Sequence, residues 1–288
     1  MNDLNNNSNF NNKFLNTVFH PSDFSKASEI AFAHALKLTI SANSTLELFH
    51  VTHDSRSSNV DHFPSVRRTL EQWKVLPIGS TSSQVAALGI YIKKKIVSGA
   101  DTVRSVLHQL KKNNSNLVVL ATHQRDGISQ ILHKAVAEPV SRQSGIMTLF
   151  VPHGTEGFVS LKDGNINLRN ILIPITHNPD PQLAVDTASI LTNMLKPEKI
   201  KLTLLHVGDK SDIPKVKTYT KKNWTWETVI TKGNIVDQIL YTEEECSSDL
   251  IVMSTQGHTG LLDNFRGSTT EQILRNSYCP VLAIPDKK

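Results

Sequence analysis

Short, largely apolar runs recur along the chain, and they recur in two matching sets. Thr17-Val-Phe-His-Pro21 corresponds to Ile171-Leu-Ile-Pro174, each a run closed by proline. Leu46-Glu-Leu-Phe-His-Val51 corresponds almost letter for letter to Leu202-Thr-Leu-Leu-His-Val207. Asn116-Leu-Val-Val-Leu-Ala121 answers Asp249-Leu-Ile-Val-Met-Ser254, and Met147-Thr-Leu-Phe-Val-Pro152 answers Pro280-Val-Leu-Ala-Ile-Pro285. Runs unbroken by polar alternation suit strands buried on both faces of a parallel sheet. Between them the period changes to that of a helix. Ala27, Ala31, Ala35 and Leu38 fall on one stripe, as do Ala184, Ala188, Leu191 and Leu195. Ser25 and Asp180 are placed to cap these helices, and Pro181 fits a first helical position. Strands alternating with helices, read twice, predict two parallel α/β domains with right-handed crossovers.

The division this implies is an asparagine-rich tail over 1–13, a first domain over 14–153, a linker over 154–169 holding Gly154, Gly157 and Gly164, and a second domain over 170–288. The tail has no apolar core, so it is neither a signal peptide nor a folded element, and disorder is expected there. At 288 residues each half can bury a core without disulfides. Cys246 and Cys279 show no metal or redox spacing, which favours a reducing, cytoplasmic setting. No run of 18 apolar residues suggests a membrane span. The net charge of +5 raises a nucleic-acid reading, but Lys93–Lys95, Lys111–Lys112 and Lys221–Lys222 are scattered and lack interleaved aromatics. They read as solvated faces, with no nucleic-acid partner.

Candidate chemistry sits after the fourth strand of the second half. There the sequence runs Ser254-Thr-Gln-Gly257-His-Thr-Gly260 and then Arg266-Gly267-Ser268-Thr269-Thr270-Glu271. Ser268 and Glu271 have capping-box spacing, so a helix is predicted to begin at Ser268. A glycine-flanked helix start with hydroxyl side chains is an anion site, because free amides, the positive dipole end and hydroxyl donors converge. In an open parallel sheet it would lie beyond the carboxyl ends of the strands, where ligands gather. Turn glycines with a purely structural cap explain the same residues equally well. His20, His50, His53 and His123 lie near strand ends in the first half, but the match of His50 with His206 favours a packing role over a metal site. Trp73, Trp224 and Trp226 read as packing residues. No Gly-Lys-Ser/Thr phosphate loop, Gly-x-Ser-x-Gly elbow or His-Glu-x-x-His pair is present, so no catalytic residue is named.

Taken with the strand order, these residues resemble the universal stress protein family in its tandem, two-domain form. The family motif is a glycine, two residues, a glycine, nine residues, then glycine with serine or threonine. Gly257, nine residues and Gly267-Ser268 match it, and only the first glycine departs, as Ser254. The His-Val pair closing the second strand also matches, placing Val51 and Val207 where the family's valine backbone meets adenine. The resemblance implies two Rossmann-like domains, each an open five-stranded parallel sheet, packed as a pseudo-dimer within the chain. It also implies an adenine nucleotide (ATP, ADP or AMP) in the C-terminal domain, at Thr176, Val207, Met253, Ser254, Gly257, Gly267, Ser268 and Thr269, with Mg2+ admitted as a companion ion. The family's Pro-x-Asp survives as Pro21-Ser22-Asp23 but becomes Pro174-Ile175-Thr176 in the second half. Conversely, the first half has Ala121, Gln124, Lys134 and Ala135 where the phosphate motif belongs, which leaves a vestigial site at Asp23, Val51 and Lys134. The implied role is regulatory or protective under stress, through protein partners, with a homodimer left open. A nucleotide-independent scaffold and a slow ATP hydrolase are the alternatives.

Overall fold

The computed structural model describes residues 14–53, 59–122, 130–256 and 268–286. The chain divides into two compact units, one spanning Leu15–Ile166 and the other built from Asn167 onward. In the first, the apolar runs become β1 (Thr17–Pro21), β2 (Thr45–Thr52), β4 (Leu117–Thr122) and β5 (Met147–Pro152). A further strand, β3 (Tyr91–Ser98), lies at the outer edge, and the order is β3-β2-β1-β4-β5 with every described pairing parallel. The helices are α1 (Lys26–Ala42), α2 (Val66–Gln72), α3 (Ser82–Ala87), α4 (Thr102–Lys112) and α5 (Gln130–Ser144). The second unit repeats the order as β8-β7-β6-β9-β10, again parallel. Its strands are β6 (Asn170–Pro174), β7 (Ile200–Val207), β8 (Trp224–Thr231), β9 (Leu250–Gln256) and β10 (Val281–Asp286). Its helices are α6 (Pro181–Leu195), α7 (Ile235–Glu245) and α8 (Thr269–Asn276).

The central strands are apolar on both faces because helices cover both. Val18, Phe19, Val118, Val119, Leu172, Ile173, Ile251 and Val252 are all fully buried. The edge strands obey a different rule. Tyr91, Lys93 and Ser98 of β3 are exposed between half-buried neighbours, and β8 alternates likewise. Edge position explains the pattern, since charge and half-burial protect an open strand edge. Lys93–Lys95 therefore belongs to a strand, and the Lys95 ammonium reaches Gln109 Oε1 at 2.7 Å. Gln109 Nε2 in turn donates to the buried carboxylate of Glu47 at 2.5 Å, and Asn113 Nδ2 also contacts it. The predicted caps form: Ser25 accepts from the Ser28 N–H, and Asp180 accepts from Gln182 N–H with Pro181 at the first helical position.

The stretch read as a linker is largely a folded strap of the first unit. Phe158 and Val159 are fully buried, and their N–H groups donate to His34 Nε2 of α1 at 3.1 and 3.2 Å. Trp73 Nε1 donates to the Leu161 carbonyl at 3.1 Å, and Gln72 donates to that of Lys162 at 2.9 Å. Gly164 sits at φ +68°, where a Cβ would fall 2.4–2.8 Å from the Trp73 ring. Gly164→Ala is therefore expected to destabilise this unit by about 2–4 kcal/mol, combining left-handed backbone with overpacking. Urea unfolding of the full chain checks it, and an unchanged midpoint would contradict it. The tail, Met1–Lys13, lies outside the described residues. Among the described residues no helix is long and apolar enough to cross a membrane.

Candidate functional site

In each sheet the strand order reverses beside the first strand, between β1 and β4 and again between β6 and β9. The crevice beyond the carboxyl ends at that point is the place where open α/β sheets hold ligands. In the second unit, the connection from β6 to α6 runs over Ile175–Pro179 and carries Thr176, which is exposed. Val207 ends β7 half-buried; Met253 is buried in β9, and Ser254 follows it half-buried. Ser268 precedes α8 in extended conformation, and its hydroxyl accepts the Glu271 N–H at 3.2 Å. Thr269 is the first residue of α8. Thr176 and Val207 thus lie at the carboxyl ends of β6 and β7, Met253 and Ser254 in the middle of β9, and Ser268 and Thr269 at the start of α8. Gly257 and Gly267 lie outside the described residues.

The start of α8 is a capped helix terminus with serine and threonine hydroxyls, which suits an anion. The Glu271 carboxylate, buried, is engaged by Arg275 one turn on. Across the crevice, Ser254 does more than occupy the family's glycine position. Its hydroxyl donates to the Asp180 carbonyl at 2.7 Å, while the Asp180 N–H donates to Asp286 Oδ2 at 3.0 Å. Sequence reasoning does not find Asp180 and Asp286 as part of the site. The repeat holds a signal for them, because Ala121 and His153 stand at the positions of Ser254 and Asp286.

The histidines at the end of the second strands differ between the units. His50 Nδ1 donates to the Ser22 carbonyl at 2.7 Å, and its ring lies 4.2 Å from that of Phe24. His206 is buried, and among the described residues neither of its ring nitrogens has a hydrogen-bond partner. A shared packing role therefore extends to position but not to bonding. Gly208 accommodates that imidazole, since a Cβ there would lie 2.7 Å from His206 Nε2.

In the first unit Asp23 is exposed, and its Oδ1 accepts from both the N–H and the hydroxyl of Ser25, at 3.0 and 2.7 Å. Phe24, at φ 64°, packs edge-on against Phe63 and His62 near the end of β2, where Val51 is half-buried. His20 of β1 is fully buried, with its ring near that of Phe32. Its Nδ1 faces the Val119 carbonyl at 3.0 Å, and Ser28 Oγ lies 3.2 Å from Nε2. Burial holds this imidazole at about 4, well below 6.5. The Lys134 side chain, Gln124 and His123 lie outside the described residues. Among the described residues no three histidine, cysteine or acidic side chains are grouped to hold a metal ion. Trp73 is buried against the strap, and Trp226 Nε1 donates to the Tyr219 carbonyl at 2.8 Å, so both indoles serve packing.

Comparison with known proteins adds the lineage. A universal stress protein of Methanocaldococcus jannaschii is 38% identical over 61 residues, which covers 21% of this chain and 36% of that protein. The chain thus spans about a third of the length of that curated relative. A universal stress protein from Archaeoglobus fulgidus has a similar solved structure, at TM-score 0.61 and 19% identity, covering 93% of this chain and 98% of the other. A functionally unknown protein from Pseudomonas aeruginosa PAO1 is similar at TM-score 0.59 and 11% identity, covering 95% and 93%. At such identities these two structures speak for the fold alone. The sequence profile of the universal stress protein family matches residues 16–152 and 221–285, one segment in each unit. The chain belongs to the universal stress protein family.

Proposed function

We propose that this chain binds an adenine nucleotide in its C-terminal unit and acts in the cytoplasm as a regulator or protectant under stress. The observation that carries the reading is the start of α8. Ser268 caps it and Thr269 follows, after the strand that borders the switch-point crevice. Amides at a helix start favour the phosphates, which carry most of a nucleotide's charge. Gly257 and Gly267, by family resemblance, supply close backbone approach. Val207 and Met253 border the adenine, and Thr176 meets the nucleoside. In the first unit Asp23 organises its own turn through Ser25, which fits a vestigial site. Mg2+ would accompany a triphosphate, and protein partners would read the occupied state.

The scaffold reading has one observation in its favour, the neutral Thr176 where the first unit keeps Asp23. Mass spectrometry of ligand released from protein purified without added nucleotide separates the two. The expected result is an adenine nucleotide in the released fraction. Added ATP should then raise the unfolding temperature, because a ligand at 100 times its Kd stabilises the folded state by about 2.7 kcal/mol. No released nucleotide and no thermal shift would favour the scaffold.

A further inference from the structure

We propose that Ser254 and Asp286 are positioning residues for the nucleoside, acting through Asp180 on the connection that carries Thr176. The inference rests on the nucleotide reading above. The β6–α6 connection is longer than its counterpart: five residues, Ile175–Pro179, separate Pro174 from the cap Asp180, against three, Ser22–Phe24, between Pro21 and Ser25. A longer connection has more conformations to lose when a ligand orders it. In the first unit the short connection ties itself, with Asp23 Oδ1 accepting twice from Ser25. Thr176 replaces that carboxylate, so the second unit needs another tie.

The tie comes from two neighbouring strands. Ser254 of β9 donates to the Asp180 carbonyl at 2.7 Å, and Asp286 at the end of β10 accepts the Asp180 N–H at 3.0 Å. One residue's backbone is thus held by its acceptor and its donor at once. Asp286 is only 8% exposed, so its carboxylate is desolvated and its hydrogen bond to the N–H is correspondingly strong. In the middle of the connection, His177 Nε2 donates to the Asp212 carbonyl at 2.9 Å in an exposed contact. Ala121 has no hydroxyl to make the first of these ties in the other unit. The serine that departs from the family's glycine therefore fixes the loop that must meet the nucleoside.

The test compares the full-length chain with its Ser254→Ala, Ser254→Thr, Thr176→Ala and doubly substituted Ser254→Ala/Thr176→Ala variants. Hydrogen exchange of the Asp180 amide, whose N–H donates to Asp286, reads how firmly Asp180 is held once Ser254 releases its carbonyl, and calorimetric titration with ATP, adenosine and pyrophosphate reads the consequence. Ser254→Ala should speed exchange and weaken ATP and adenosine by the same factor, about fivefold for one lost hydrogen bond. Pyrophosphate affinity should not move, and Ser254→Thr, which keeps the hydroxyl, should restore both readouts. The double variant should bind adenosine like Thr176→Ala alone, because Ser254 acts through that loop. Faster exchange with adenosine bound as tightly as before, or tighter, would overturn the positioning role and leave nucleotide binding intact. Unchanged exchange would overturn the tie itself. A wild-type chain that binds neither ATP nor adenosine would overturn the nucleotide reading and this inference with it.

Discussion

Taking the protein from pH 7 to pH 4 is expected to remove several kcal/mol of stability from the Leu15–Ile166 unit, chiefly through His34 and His20. His34 is fully buried on α1. Its Nδ1 donates to the Ile30 carbonyl at 2.9 Å, so Nε2 is the unprotonated nitrogen that accepts from Phe158 and Val159. A proton on Nε2 would set a donor against two donors in a desolvated place. Burial accordingly holds His34 at about 4, as it does His20. Each imidazole sits below its unfolded value of 6.5, so between 6.5 and about 4 the unfolded chain binds more protons. Stability from these groups is complete above pH 6.5 and is lost as pH falls through that window, at about 3 kcal/mol for each.

His34→Ala should reproduce much of the loss at neutral pH. It leaves two buried N–H groups without an acceptor, a penalty of about 2–5 kcal/mol together. It should also remove one proton from the pH slope. Urea midpoints of the full chain at pH 7 and 4.5, read with exchange of the Phe158 and Val159 amides, check this. Equal midpoints at the two pH values, or a variant as stable as the parent, would contradict it.

The parts of this molecule that are legible in the sequence share a cause. Strands buried on both faces have to be apolar throughout, so the runs ending in Pro21, Val51, Ala121 and Pro152, and their repeats, stand out. Caps are legible because few residues satisfy a helix start, and Ser25, Asp180 and Ser268 all cap as expected. Edge strands are not legible. The Lys93–Lys95 run of β3 resembles any solvated face until a sheet is placed beside it. The short helices α2 and α3 escape as well, although Ser65 caps the first and Thr81 with Gln84 forms a capping box at the second, because six or seven residues carry too little apolar periodicity to stand out. The strap is hidden for a related reason: glycines at 154, 157 and 164 look like a flexible linker, whereas Gly164 is demanded by the Trp73 ring. At the site, residue types follow from the repeat and the family motif. The bond that Ser254 makes does not, because its partner Asp180 is 74 residues away in sequence and contributes only its carbonyl.

A titration with labelled ATP distinguishes a nucleotide site in the C-terminal unit from one in the first unit. Labelled ATP is titrated against the wild-type chain, Ser268→Asp and Asp23→Ala. Aspartate caps a helix as well as serine does, so Ser268→Asp keeps α8 while placing a carboxylate where the phosphates would sit. Like charges in such a partly screened site cost several kcal/mol, so affinity should fall by about 100-fold, equivalent to about 2.7 kcal/mol. Asp23→Ala should bind ATP as the wild-type chain does. Loss of binding in Asp23→Ala with Ser268→Asp unaffected would contradict a C-terminal site and move it to the other unit.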